Sequence, residues 1–254
     1  MSITGAEPRN VVTGVPFDTF LKYFAETWKV GQHMALIAPT DSGKTTFAVP
    51  ILKLRKYVLA IDPKGGDSRL ALSGFQRISS WPPPKEILDK MAEDAERPPS
   101  ERRPVRLVVT YPIRNRADRK RLRDLCSKAL EGAHDMGGWT VYIDEFQVAA
   151  DARMMGLAVQ IEELLISARD PKRMTIVTAY QAPAWVPKAS TRQAQWFVVW
   201  KTNDVDVIKS LAEKMGRDWR ELLAAVRAID RHWVLVGGTN TEDSLILAQA
   251  PRLD

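Results

Sequence analysis

Short apolar runs separated by longer amphipathic stretches organise this chain. MALIA (34–38), YVLAID (57–62), VRLVVTY (105–111), WTVYIDEF (139–146) and MTIVTAY (174–180) are nearly continuous in apolar residues over most of their length. Runs of that length, rich in β-branched residues, predict strands covered on both faces. FQRIS (75–79) reads as a short strand, WFVVWK (196–201) as another, and HWVLVG (232–237) and SLILAQ (244–249) as two late ones. Between them apolar positions recur at helical spacing. The pattern predicts helices over FDTFLKYFAETW (17–28), TTFAVPIL (45–52), 117–135, 154–168, 204–215 and 217–228. Pro50 should kink or end the second of these early. The helix over 117–135 turns Leu122, Leu125, Ala129, Leu130 and Ala133 inward and most of its basic residues outward.

Strands alternating with helices predict an α/β fold, a mostly parallel sheet with helices on both faces. Such sheets bind ligands at the carboxyl ends of their strands. There is no internal repeat and no long linker, so residues 1–254 read as one domain. Residues 1–30 form a lead-in, and WPPPKEILDKMAEDAERPPSERRP (81–104) a surface excursion, a short charged helix bounded by prolines.

Composition narrows the class. The chain is 45% hydrophobic and 27% charged, as in a globular protein. Its single cysteine, Cys126, excludes an internal disulfide. The start, MSITGAEPRN, has no apolar signal core, and no apolar run is long enough to span a bilayer. The expectation is a soluble cytoplasmic protein. The net charge is +6, and residues 114–123, RNRADRKRLR, carry +5 of it. A concentrated basic patch suits a polyanionic partner, although a solvated helix face would give the same pattern.

The candidate chemistry begins with APTDSGKTT (38–46). It matches the phosphate-binding pattern G-x-x-x-x-G-K-[ST], except that Ala38 stands at the first glycine. Alanine is tolerable there if the residue keeps a negative φ. The loop follows a buried strand and opens a helix, so its backbone N–H groups and the helix dipole face an anion. Thr40, Asp41, Ser42, Gly43, Lys44, Thr45 and Thr46 are the predicted phosphate cradle. Gly43 allows close approach, Lys44 reaches the β- and γ-phosphates of ATP, and Thr45 offers its hydroxyl to Mg²⁺.

An NTPase also needs a carboxylate for the metal and a group that activates water. Asp144 and Glu145 end the strand over 139–146, one hundred residues after Lys44. Asp144 is the expected Mg²⁺ partner and Glu145 the expected catalytic acid–base. Gln181, at the end of the strand over 174–180, is placed to touch the γ-phosphate. LSGFQ (72–76) imitates an ABC-transporter signature, but it lies about seventy residues before Asp144 and reads as a turn.

In this order, APTDSGKTT, IDPKG (61–65), YIDEF (142–146) and ISARDPKRMTIVTAYQAP (166–183) resemble the FtsK–HerA family of DNA-pumping P-loop ATPases over roughly residues 30–215. The family's T-Q-x-P reads Y-Q-A-P here, so the glutamine and proline match and the threonine does not. The resemblance implies a RecA-like sheet, a homo-oligomeric ring of five or six subunits, and ATP between neighbours. It also implies a catalytic arginine finger donated in trans, with Arg169 at the best-fitting position and Arg173 in reserve. A chain with little beyond the motor core is similar in size to viral genome-packaging ATPases. The expected activity is therefore ATP-driven translocation of double-stranded DNA through non-specific phosphate contacts, with a capsid or portal-vertex protein as docking partner. Lys64, Arg69, the 114–123 cluster and Arg153 are the candidate DNA contacts. The alternative is a P-loop ATPase that powers virion assembly or extrusion, or remodels a protein, without moving DNA.

Overall fold

A computed structural model describes residues 14–66, 70–71, 73–98, 100–167, 174–181, 191–239 and 245–251. In chain order the elements are β1 (Gly14–Val15), α1 (Phe17–Thr27), β2 (His33–Ile37), α2 (Lys44–Leu52), β3 (Tyr57–Ile61), β4 (Gln76–Ile78), α3 (Lys85–Ala95), β5 (Val105–Val109) and α4 (Arg116–Met136). They continue with β6 (Thr140–Ile143), α5 (Phe146–Ala150), α6 (Ala158–Ser167), β7 (Thr175–Tyr180), β8 (Ala194–Val199), α7 (Val205–Met215), α8 (Trp219–Arg227), β9 (Trp233–Gly238) and β10 (Ile246–Gln249).

All described strands join one sheet in the order β1-β10-β9-β8-β2-β7-β6-β3-β5-β4. β9 runs antiparallel to β8 and β10, and the remaining pairings are parallel. The expected α/β architecture is thus present. Each strand splits its side chains between two cores. Ala35 and Ile37 of β2 join Leu59, Val141 and Phe197 beneath α4, α6, α7 and α8. Met34 and Leu36 join Val58, Ala60 and Tyr142 beneath α1 and α2. This period of two is why the central strands read as continuous apolar runs.

α2 buries Phe47, Ala48, Val49, Ile51 and Leu52, so it has no polar face. Pro50 lies inside its last turn, and the helix ends two residues later, at Leu52. Phe47 anchors it. Its ring centroid lies 5.5 Å from Phe17, 5.8 Å from Phe20 and 5.3 Å from Trp200. Trp196 packs edge-on against Phe24 at 4.9 Å, so Trp196 and Trp200 are core residues, as their spacing suggests. These aromatic contacts join α1, α2 and β8, and hold the start of α2 in place.

The excursion over 81–104 lies on the surface but is pinned. The buried carboxylate of Asp94 accepts the backbone N–H of Arg103 at 2.8 Å and its Nε–H at 3.0 Å. The Arg103 guanidinium holds that carboxyl below its usual range. Trp81 docks on α4, where a Cβ on Gly132 would meet its indole nitrogen at 2.0 Å. Asn115 caps α4 by accepting the N–H of Asp118 at 3.0 Å. Ser73 and Gly74 form the turn expected for LSGFQ, with Gly74 at φ +89°.

The helix expected from 154 starts at Ala158 instead. The Asp151 carbonyl captures the N–H groups of Met154, Met155 and Gly156 in a tight turn, and Gly156 takes φ +63°. α5 and the two-residue β1 have too few residues to show a period.

Phe47→Ala should cost about 3–5 kcal/mol, the range for truncating a fully buried phenylalanine. Urea unfolding checks this, and a loss below about 1 kcal/mol would contradict the anchoring role.

Candidate active site

The loop after β2 starts as an extension of the sheet. Ala38 N–H donates to the Tyr180 carbonyl at 3.1 Å, continuing the β2–β7 ladder. Ala38 is buried and is not among the positive-φ residues, so a methyl group fits where the pattern calls for glycine. The chain then turns through Asp41 at φ +56° and Gly43 at φ +85°. Gly43 caps α2, its carbonyl accepting Phe47 N–H at 2.9 Å. The left-handed turn needs glycine for its backbone angle rather than for space.

Lys44 and Thr45 open α2 and are buried. Lys44 Nζ donates to the carbonyls of Ala38 at 3.1 Å and Pro39 at 2.8 Å, so the ammonium lies inside the curl of the loop. Burial pulls its pKa below the ordinary lysine value, against the opposing pull of the Asp144, Glu145 and Asp41 carboxylates. Ser42 Oγ donates to the Pro39 carbonyl at 2.7 Å and tightens the turn.

Asp144 and Glu145 leave β6 at the same sheet edge. Asp144 Oδ1 accepts Tyr142 Oη–H at 2.9 Å and Glu145 N–H at 3.1 Å. Glu145 takes φ +44°, a left-handed conformation costly for a residue with a Cβ. Strain of this kind costs on the order of 1–3 kcal/mol and persists where surrounding structure enforces it. Gln181 bridges the two halves: its Oε1 accepts Thr40 Oγ1–H at 3.0 Å, and its Nε2 lies 3.5 Å from Glu145 Oε1.

The IDPKG segment closes the cleft from the far side. Asp62 Oδ1 accepts the N–H groups of Lys64 at 3.0 Å and Gly65 at 3.1 Å. Gly65 stands at φ +75°, and a Cβ there would lie 2.3 Å from the Tyr111 carbonyl oxygen. Lys64 Nζ reaches Glu145, 2.5 Å from each carboxylate oxygen.

Asp41, Thr45, Asp62, Asp144 and Glu145 thus line a cleft of about 400 Å³. Its donors are hard oxygens, which suit Mg²⁺. Among the described residues no group of three or more His, Cys, Asp or Glu could hold a metal by itself. A larger cavity of about 820 Å³ opens on the other side of the loop, between Ser42, Gly43 and Thr46 and the residues Trp200, His232 and Trp233. His232 takes φ +71°, and its carbonyl accepts Ala250 N–H at 2.6 Å.

Every described site residue expected from the sequence therefore meets at one sheet edge. Arg169 and Arg173, and Arg69 among the DNA candidates, lie outside the described residues. Lys64, a candidate DNA contact, pairs with Glu145, and Tyr142 joins the site through Asp144. Tyr142 could have been found from the two-residue spacing that points it and Asp144 to one side of β6. Nothing in the sequence brings residues near 232 to the loop, because that depends on sheet order.

No protein-family model matches the sequence, and no curated protein matches it. Solved structures do. The genome packaging NTPase B204 of Sulfolobus turreted icosahedral virus 2, in complex with sulfate, aligns at a TM-score of 0.56 and 15% identity over 88% of this chain and 98% of that one. VirB4 of Thermoanaerobacter pseudethanolicus aligns at 0.54 and 10% identity, over 87% and 89% of the two chains. The pCW3 conjugation coupling protein TcpA, with ATPγS, aligns at 0.50 and 15% identity, over 87% and 60%. At these identities the likeness is one of fold: this chain shares the fold of a viral genome packaging NTPase, of VirB4 and of a conjugation coupling protein, in agreement with the resemblance carried by its motifs.

Proposed function

We propose that this chain is an ATPase of the FtsK–HerA kind, with a RecA-like core, that drives double-stranded DNA, as a viral genome-packaging motor does. The observation that carries the reading is the convergence of Lys44, Thr45, Asp144, Glu145 and Gln181 at one sheet edge, with Gln181 touching both Thr40 and Glu145. The loop N–H groups and the start of α2 receive the phosphates, and Lys44 balances charge on the β- and γ-groups. Thr45 and Asp144 hold Mg²⁺, which when bound neutralises phosphate charge. Glu145 takes a proton from the attacking water, and Gln181 stands by the γ-phosphate. The nucleoside half enters the larger cavity, which begins at Gly43 and Thr46. The arginine finger, Arg169 or Arg173, comes from a neighbouring subunit in a ring of five or six.

For DNA the support is the basic cluster. Arg114, Arg116, Lys120, Arg121 and Arg123 are exposed around the N-terminal end of α4. The helix dipole disfavours a cation in the first turn, so local helix stability does not account for Arg116, whereas Arg121 and Arg123 pair with Asp118 and Asp124. The five basic residues emerge after β5, at the sheet edge that carries the nucleotide site. A polyanion accounts for them directly. Arg153 is exposed after α5 and adds to the same charge. Among the described residues no helix is long and apolar enough to cross a membrane. A capsid or vertex protein is the docking partner a packaging motor requires.

Lys44→Ala should abolish ATP binding and turnover. Glu145→Gln should keep ATP binding and lower kcat by roughly 10²–10⁴, the scale of a lost general base. Duplex DNA should stimulate wild-type turnover, and the stimulation should fade steeply between about 50 and 200 mM salt. Turnover retained in Lys44→Ala would overturn the site. Turnover indifferent to DNA but raised by a virion protein would move the load to a protein partner.

A further inference from the structure

Asp41 stands in the phosphate loop where the acidic cleft and the larger cavity meet. Among the described residues it alone lines both, the cleft with Thr45, Asp144 and Glu145 and the cavity with Trp200 and His232. A nucleotide with its metal in the first and its nucleoside in the second must carry its phosphates past Asp41. The residue holds φ +56°, a left-handed conformation that glycine takes freely and that aspartate and asparagine tolerate better than other residues. The backbone thus accounts for glycine, asparagine or aspartate at this position. It does not account for a negative charge.

The other acids of the cleft have partners. Asp62 accepts two backbone N–H groups, Asp144 accepts the Tyr142 hydroxyl, and Glu145 pairs with Lys64. Among the described residues none hydrogen-bonds or ion-pairs with the Asp41 carboxylate. Its field still reaches Lys44, whose ammonium Asp144, Glu145 and Asp41 all attract.

The start of α2 offers the positive end of the helix dipole and its first N–H groups. The Asp41 carboxylate and the phosphates of a nucleotide seek that same potential. With Asp62, Asp144 and Glu145, Asp41 sets four acids against Lys44 and Lys64. A bare polyphosphate therefore meets a wall of its own sign, and one that carries a divalent cation meets much less repulsion.

We propose that Asp41 is a specificity-determining residue that lets the loop hold a nucleotide only while a divalent cation masks the phosphate charge, so that the diphosphate product leaves once its cation is lost. The proposal rests on the ATPase reading above.

Binding of ADP, measured by titration calorimetry in EDTA and again in excess Mg²⁺, tests it without turnover. Asp41→Asn keeps the left-handed turn and removes the charge. It should tighten ADP binding about 5- to 50-fold in EDTA, with a smaller gain in Mg²⁺. The gain in EDTA should shrink as salt rises from about 50 to 500 mM. Asp41→Gly, which also suits the turn, should behave as Asp41→Asn does. Equal affinity of wild type and Asp41→Asn in EDTA, or no binding by either, overturns the proposal and leaves a residue that only shapes the turn. So does a gain of the same size in both media. Weaker binding by Asp41→Asn in Mg²⁺ overturns it too, because the carboxylate would then be holding the cation. Lys44→Ala run alongside separates the two claims. Wild-type ADP affinity surviving in it defeats the ATPase reading, whereas binding lost in it beside unchanged affinity in Asp41→Asn defeats only the role of Asp41.

Discussion

The insertion of β7 between β2 and β6 sets the geometry on which the site depends. Neighbouring strands lie about 4.8 Å apart, so two spacings separate the loop strand from the acid strand by about 10 Å. Direct pairing of β2 with β6 would leave about 5 Å, too little for a phosphate and an attacking water between Lys44 and Glu145. The intervening strand does more than space them. It ends in Gln181, which touches Thr40 on one side and Glu145 on the other. The Tyr180 carbonyl just before it receives Ala38 N–H and so fixes where the phosphate loop begins. One strand thus supplies the gap, a polar contact across it and the anchor of the loop.

That arrangement holds residues in costly conformations. Asp41, Glu145 and His232 all take positive φ without being glycine. Asp41 and Glu145 line the acidic cleft, and His232 lines the larger cavity. The two cores hold these residues in place. The aromatic packing of Phe47 fixes α2 beneath the loop, and Tyr142 combines a buried ring with a hydroxyl bonded to Asp144. Packing and chemistry meet in that tyrosine: its ring belongs to the α1–α2 core and its oxygen orients the expected metal ligand.

Most of the site was legible in the sequence because its parts are local. A buried strand, a Gly-Lys-Thr turn and a helix start occupy thirteen consecutive residues from Met34 to Thr46, and each has its own signal. Asp144, Glu145 and Gln181 were legible as polar ends of apolar runs. What escaped depends on contacts across the fold. The Lys64–Glu145 pair spans 81 residues, and no spacing rule connects a turn after β3 to an acid after β6. The cavity walled by Trp200, His232 and Trp233 forms because β8 and β9 pair beside β2, an order that periodicity does not encode. The late start of α6 escaped for a different reason. Apolar periodicity runs on through 154–157, while the Asp151 carbonyl and Gly156 divert the backbone into a turn.

The central claim is that hydrolysis at this sheet edge moves duplex DNA. The most direct measurement is displacement of a third strand from a triplex placed along a linear duplex, with ATP, using the wild-type protein and Glu145→Gln side by side. The account predicts that wild type strips the third strand in an ATP-dependent way and that Glu145→Gln, bound to the same duplex, does not. ATP consumed on bound duplex with the third strand left in place would contradict it.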